Sequence, residues 1–207
     1  MTDAGFWNRT AEKYAASPIG DEAAYQAKLE KTQALLTPDS RVIEFGCGTG
    51  TTALYHAPFV KSILATDISE KMIEIAWSKA QSAGIENVTF EVAGLDAPEL
   101  TDNSFDMVMM HSLLHLLRER EPAIGRAYDL LKPGGYFVAS TACLTGFMRL
   151  LKPALTVARW FGALPYVAFF NQRQLIADLR STGFEIVEEW LPEGHKAVFT
   201  IARKPLG

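Results

Sequence analysis

Between residues 41 and 140, short apolar runs alternate with amphipathic stretches at an even pace. Segments 41–45, 62–66, 87–92, 104–110 and 136–140 read as strands. Segment 104–110 is almost unbroken in apolar residues, as a parallel strand covered on both faces requires. Helices are predicted from Thr51 onward, from a Ser69 cap to about Ala83 with Glu70 in the first turn and Gly84 as the stop, and over 119–131 ahead of Lys132-Pro133-Gly134-Gly135. This alternation predicts an α/β domain with a parallel sheet and right-handed crossovers. Two helices precede it, 4–16 and 21–36, parted by Ser17-Pro18-Ile19-Gly20. In the second, Tyr25, Leu29, Thr32 and Leu36 trace a more apolar stripe than Ala24, Lys28, Lys31 and Leu35. A helix over 172–181 and strands over 184–191 and 196–202 close the chain. The link Pro192-Glu193-Gly194-His195 is short enough to force an antiparallel hairpin.

Strand 41–45 runs into Gly46-Cys47-Gly48-Thr49-Gly50, with helical Thr51-Thr52-Ala53-Leu54 behind it. Strand, glycine loop and helix form the pocket with which α/β sheets bind nucleotides, although any tight turn could look the same. Glycine lets the backbone approach a ligand where a Cβ would collide. The spacing is G-x-G-x-G with Glu44 two residues ahead, not the G-x-G-x-x-G of a dinucleotide site. Asp67, at the predicted end of the second strand, can accept two hydrogen bonds from a ribose diol, or can serve the helix that begins after Ile68-Ser69.

Composition narrows the options. A chain of 207 residues with 48% hydrophobic and 21% charged positions is long enough for one well-cored domain. A net charge of −4 argues against nucleic-acid partners, which want a basic face. Cys47 and Cys143 lie far apart and read as structural thiols of a reducing compartment. His56, His111, His115 and His195 lack ligand spacing with acids, so no metal is expected. Neither a signal peptide nor an apolar run of the ~18 residues that a membrane span needs is visible, which points to the cytoplasm.

The E-x-G-x-G-x-G run resembles the first motif of the class I S-adenosylmethionine (SAM)-dependent methyltransferases. Thr101-Asp102-Asn103-Ser104-Phe105-Asp106-Met107-Val108 is similar to that family's D-x-S-F-D-x-V stretch, and Leu131-Lys132-Pro133-Gly134-Gly135 to its L-K-P-G-G turn. Together the pieces cover about residues 41 to 140 and resemble the small-molecule branch that includes the ubiquinone and menaquinone methyltransferases. The opening Phe6-Trp7-Asn8-Arg9-Thr10-Ala11-Glu12-Lys13-Tyr14 resembles that branch's N-terminal helix, which folds over the cofactor.

The resemblance implies a Rossmann-like seven-stranded sheet in the order 3-2-1-4-5-7-6, with the last strand antiparallel. It implies methyl transfer from SAM to a small acceptor, leaving S-adenosylhomocysteine. The cofactor contacts it implies fall on Tyr14, Glu44, Gly46, Cys47, Gly48, Asp67, Ile68, Met72 and His111. Past the third strand the family carries Gly-Asp-Ala, where this chain has Gly94-Leu95-Asp96-Ala97. Either Asp96 takes the adenine contact by a shift in the loop, or Leu95 packs on the base. His111 and His115 fall near the donor and are candidates for a general base, needed only if the acceptor must lose a proton; the alternative is packing at the end of a core strand. Asp106 reads as structural. A SAM-binding regulatory protein and an NAD(P)-dependent oxidoreductase are the competing classes.

The single domain would then comprise a helical cap over 1–36, the sheet, and an apolar insertion over 141–170. Phe147, Leu150, Leu151, Ala154, Ala158 and Phe161 recur there at helical spacing, broken by Pro153, with Arg149, Lys152 and Arg159 as the only charges. Three readings stay open: a lid over an apolar, anionic acceptor; a surface for a second copy or for peripheral membrane contact; and core packing.

Overall fold

The computed structural model describes residues 3–95, 100–144, 163–194 and 197–207. Two helices open the chain, α1 (Asp3–Ala16) and α2 (Glu22–Gln33). Then come β1 (Arg41–Phe45), α3 (Thr51–His56), β2 (Ser62–Asp67), α4 (Glu70–Ala83), β3 (Val88–Val92), β4 (Phe105–His111), α5 (Arg120–Leu130), β5 (Leu131–Ala142), α6 (Gln172–Thr182), β6 (Glu185–Trp190) and β7 (Ala197–Arg203). The seven strands form one sheet in the order β3-β2-β1-β4-β5-β7-β6. Pairs among β1 to β5 are parallel, and β7 runs antiparallel to both β5 and β6. This is the Rossmann-like sheet with its reversed seventh strand that the resemblance implies.

Strand pleating sorts the core into two layers. Val42, Met107, Met109 and Val138 point to the face covered by α3 and α4. Ile43, Phe45, Val108, Met110 and Phe137 point to the other face, under α5 and α6. The continuous apolar run of β4 follows from this, because both of its faces are covered. Crossovers reverse direction between β1 and β4, and the carboxyl ends of those neighbouring strands open the crevice where ligands bind in such sheets.

Local signals fix the helices that flank the crevice. The Ser69 hydroxyl caps α4 by accepting from the Met72 N–H at 3.2 Å, and Gly84 ends that helix at φ 66°. Asn171 caps α6 in a reciprocal box with Gln174. Asp106 is structural: its carboxylate accepts from the Arg41 N–H at 2.8 Å and from Lys132 Nζ at 2.7 Å, tying the entrances of β1, β4 and β5 together.

Two expected boundaries move by three residues or more. The second helix ends at Gln33, not residue 36, and the chain then turns through Ala34 and Leu35. The fifth strand starts at Leu131 rather than 136. Leu131 pairs with Phe105, the Lys132–Gly135 stretch leaves the ladder, and pairing resumes at Tyr136 opposite Met107. That excursion is held by chain from far downstream: Gly134 N–H donates to the Lys204 carbonyl at 2.8 Å, and Lys204 N–H donates back to Gly135 at 2.9 Å.

The three loop glycines do different work. All have positive φ. At Gly50 a Cβ would lie 2.7 Å from Phe90 and 2.8 Å from Ala76, so this glycine seats the loop against β3 and α4. At Gly48 the nearest atom to a Cβ is the Tyr14 ring at 3.7 Å, an ordinary contact, so that position has room for a side-chain carbon. Gly50→Ala is therefore expected to cost about 2–5 kcal/mol, the sum of left-handed strain and overpacking, and Gly48→Ala only about 1–2 kcal/mol. Urea unfolding of the two variants checks this, and equal losses would refute the assignment.

Candidate active site

The crevice holds two connected compartments. One, of about 280 Å³, is lined by Asp67, Ile68, Met72, Leu95 and His115. The other, of about 730 Å³, is lined by Glu44, Cys47, Tyr25, Lys28 and Ser140. Tyr14, Gly46, Gly48, His111 and Ser112 border both. The structure thus brings together Tyr14, Glu44, Gly46, Cys47, Gly48, Asp67, Ile68, Met72, Leu95, His111 and His115. Asp96 lies outside the described residues.

Asp67 ends β2 and organises the smaller compartment. One carboxylate oxygen accepts from the Gly48 N–H at 3.0 Å and the other from the Ser69 N–H at 2.9 Å. Its structural role at the turn into α4 is therefore present. The residue braces that turn with help from the Ile68 N–H, and since a carboxylate has about four acceptor sites, capacity remains for a hydroxyl of a diol. Burial raises its pKa, against the pull of those backbone N–H groups.

Glu44 is only 2% exposed, on the face of β1 that carries α3. The Ala53 backbone N–H supports the carboxyl, but Oε2 is buried without a partner. Burial first, then the charge of Asp67, push the pKa up to about 8. Such a group holds a proton near neutral pH and gives it up when a cation arrives. The same surroundings push the Cys47 thiol well above its ordinary range, which makes it inert as a nucleophile.

The α1 helix borders the smaller compartment. Trp7 and Tyr14 of α1 line it with rings 6.3 Å apart. Burial, with the carboxyls of Glu44 and Asp67, raises the Tyr14 pKa, so its hydroxyl keeps its proton, although half of the residue's surface is open. Asn8 fastens the helix: its Oδ1 accepts from Ser69 Oγ at 2.7 Å and from the Lys71 N–H at 3.2 Å.

Ser112, directly after β4, has φ 54°, rare for a residue with a side chain, and donates its N–H to the Ser140 carbonyl at 2.7 Å. The turn it makes leaves His111 at the junction of the two compartments. His111 Nε2 is buried without a partner, and burial, with His56 and Lys28, lowers the ring to about 3. His115 Nδ1 is likewise buried and unpartnered, and burial lowers its pKa. Both rings are neutral at pH 7. Among the described residues no cluster of His, Cys, Asp or Glu could hold a metal, and no helix is long and apolar enough to cross a membrane.

Of the 141–170 insertion, 145–162 lies outside the described residues. Its returning end is core on one side and cavity wall on the other. Ala168 and Phe170 are buried under β4 and β5, and Pro165 borders the smaller compartment. Lys28, Tyr25, Trp7 and Ser140 were not among the residues singled out from sequence. The position of Lys28 on the flank of the apolar stripe of α2 was the one available hint.

Residues 43–139 match the family described as Methyltransferase domain. The chain is 30% identical over 138 residues to the uncharacterized methyltransferase YcgJ of Bacillus subtilis, a match over 67% of this chain and 54% of that protein. It is 28% identical over 165 residues to the ubiquinone biosynthesis O-methyltransferase of Xanthomonas axonopodis pv. citri, covering 77% of this chain and 69% of that one. The crystal structure of Bacillus YcgJ superposes with a TM-score of 0.71 at 19% identity, over 88% of this chain and all of that one. The chain thus spans about half the length of the curated YcgJ sequence that it matches.

The neutral histidines carry a consequence for stability. His56, on α3, is fully buried with both ring nitrogens unpartnered, and burial lowers it to about 4. A depressed histidine stabilises the fold above its unfolded pKa of ~6.5 and loses that contribution as pH falls toward the folded value. His56→Leu should therefore flatten the fall in unfolding free energy between pH 6.5 and 4 by up to about 1.4 kcal/mol per pH unit. Urea melts at several pH values measure this, and an unchanged slope would show that the ring is solvated.

Proposed function

Because residues 43–139 make this chain a member of the SAM-dependent methyltransferase family, we propose that it moves the methyl group of SAM onto a small, largely apolar acceptor. The observation that carries this reading is the pair of carboxyls on either side of the glycine loop, half-buried Asp67 with acceptor capacity to spare and buried Glu44 with an unpartnered oxygen. The pair fits the ribose diol and the ammonium group at the amino-acid end of that cofactor. Leu95 with Ile68 and Met72 offers apolar surface to the base, and Gly48 offers backbone at close range.

Bound SAM supplies a methyl already activated on a sulfonium, so the protein's main tasks are alignment and exclusion of water. Orientation of this kind can contribute about 7–11 kcal/mol. The α1 helix, latched by Asn8, and Trp7 and Tyr14 wall off the compartment. The neutral Tyr14 hydroxyl and the paired carboxyls line the path of a ligand that carries positive charge. His111, uncharged with Nε2 free of partners, is positioned to take a proton from an acceptor at the junction. Its lowered pKa makes it a weak base, so the acceptor's own proton must be loosened by a neighbouring charge.

Calorimetric titration of S-adenosylhomocysteine tests the reading. Asp67→Ala should lose about 2 kcal/mol or more of binding, as expected for a charged hydrogen-bonding group. Glu44, protonated below about 8, must ionise to meet the ligand's ammonium. Binding near pH 6.5 should therefore release about one proton, seen as a dependence of the heat on buffer ionisation enthalpy, fading above pH 9 and absent in Glu44→Gln. No binding of SAM or S-adenosylhomocysteine by the wild type would overturn the proposal.

A further inference from the structure

Lys28 stands in the wall of the larger compartment with its charge unmatched. Its Nζ donates to Ser140 Oγ at 3.2 Å, which uses one of three N–H bonds. The residue is half-buried, and burial lowers its pKa more than distant Asp21 restores it. Among the described residues no carboxylate joins it in an ion pair, whereas Lys31, one turn along, pairs with Glu188. A half-desolvated ammonium at a cavity wall with donors to spare is a receptor for an anion.

Its place in the sheet says which part of the reaction it serves. Along the row of strand ends, Leu95 follows β3, Asp67 ends β2, and Glu44 and Gly46 mark β1. These three columns take the base, ribose and amino-acid end in the reading above, on which this inference rests. Lys28 and Ser140 stand over β5, two strands further on and about 10 Å away at ordinary strand spacing. Ser140 is the ladder partner of His111, so the ammonium and the neutral imidazole border the same space.

We infer that Lys28, held by Ser140, recognises an anionic oxygen on the methyl acceptor, a carboxylate or an ionised phenol or enol. The acceptor is then an organic acid with an apolar body, not a neutral molecule. The same ammonium would loosen the proton of a phenol or enol beside it, which supplies what the weak base His111 lacks.

An anionic oxygen could also come from the cofactor's own carboxylate, and ligand pairs separate the two sources. Calorimetry would be run on the full chain, as wild type, Lys28→Met and Ser140→Ala. The ligands are S-adenosylhomocysteine and its decarboxylated analogue, then benzoate and benzamide added to the S-adenosylhomocysteine complex. Expected are S-adenosylhomocysteine affinities for wild type and Lys28→Met that agree within about threefold, and a wild-type preference for benzoate over benzamide of about fivefold or more. Lys28→Met abolishes that preference and Ser140→Ala weakens it. If Lys28→Met were too unstable, Lys28→Gln serves the same comparison.

A loss of about tenfold or more in S-adenosylhomocysteine affinity in Lys28→Met, with the decarboxylated analogue unaffected, would overturn the assignment to the acceptor and give the anion to the cofactor. Equal binding of benzoate and benzamide by the wild type, with S-adenosylhomocysteine unaffected by the substitution, would overturn the anion site altogether. Failure of the wild type to bind S-adenosylhomocysteine at all is a different result, and would remove the methyltransferase reading beneath it.

Discussion

The Asp67 carboxylate is the joint on which the site depends. One oxygen holds the Gly48 N–H, and with it the loop between β1 and α3. The other holds the Ser69 N–H at the start of α4. Ser69 in turn donates its hydroxyl to Asn8 on α1 while accepting from Met72. A single half-buried acid thus sets the glycine loop, the helix cap and the covering helix relative to one another. Each bond is of ordinary strength, but a carboxylate taken out of water must be met by donors, so the set is hard to break one member at a time.

Burial of charge without full pairing is the second theme, and it has one physical cause. The cavity takes Glu44, Asp67, His111 and Lys28 partly out of water, and each shifts toward its neutral form. Unpartnered atoms such as Glu44 Oε2 and His111 Nε2 oppose folding. Strained Ser112 adds to that cost at the same place. In the proposed reading a cationic centre, a diol and an anionic neighbour would each satisfy one of these deficits.

Much of this was written locally in the chain. Parallel strands covered on both faces must be apolar throughout, so β1 and β2 kept their boundaries within a residue and β4 slid by one. The Ser69 cap, the Gly84 stop and the terminal hairpin also rest on neighbours close in sequence, and the order of the sheet followed from the family resemblance. What failed depended on distant partners. The Lys132–Gly135 excursion reads as a plain turn, because Lys204, which pairs with it, lies some seventy residues away. The G-x-G-x-G spacing leaves Gly50 without an assigned role. Only the packing of Phe90 and Ala76 shows that it is an internal spacer.

Lys28 marks the limit of such reading most sharply. In sequence it is one more lysine on a polar helix, four residues from Ala24 and three from Lys31, with only its place beside the apolar stripe to separate it from a solvated face. Its meaning appears when α2 is laid over the ends of β4 and β5 and its ammonium meets Ser140 rather than water or a carboxylate. The half of the crevice given to the cofactor in the proposed reading is built from β1 to β3 and the loop between β1 and α3, where the sequence motifs lie. The other half draws on α2, the end of β5 and the segment returning at Pro165. No short motif spans those elements, so their side chains are free to differ without disturbing the cofactor half. Under the proposed function, acceptor choice is therefore a property of tertiary placement, and a single lysine with no counter-ion among the described residues says more about it than the glycine loop does.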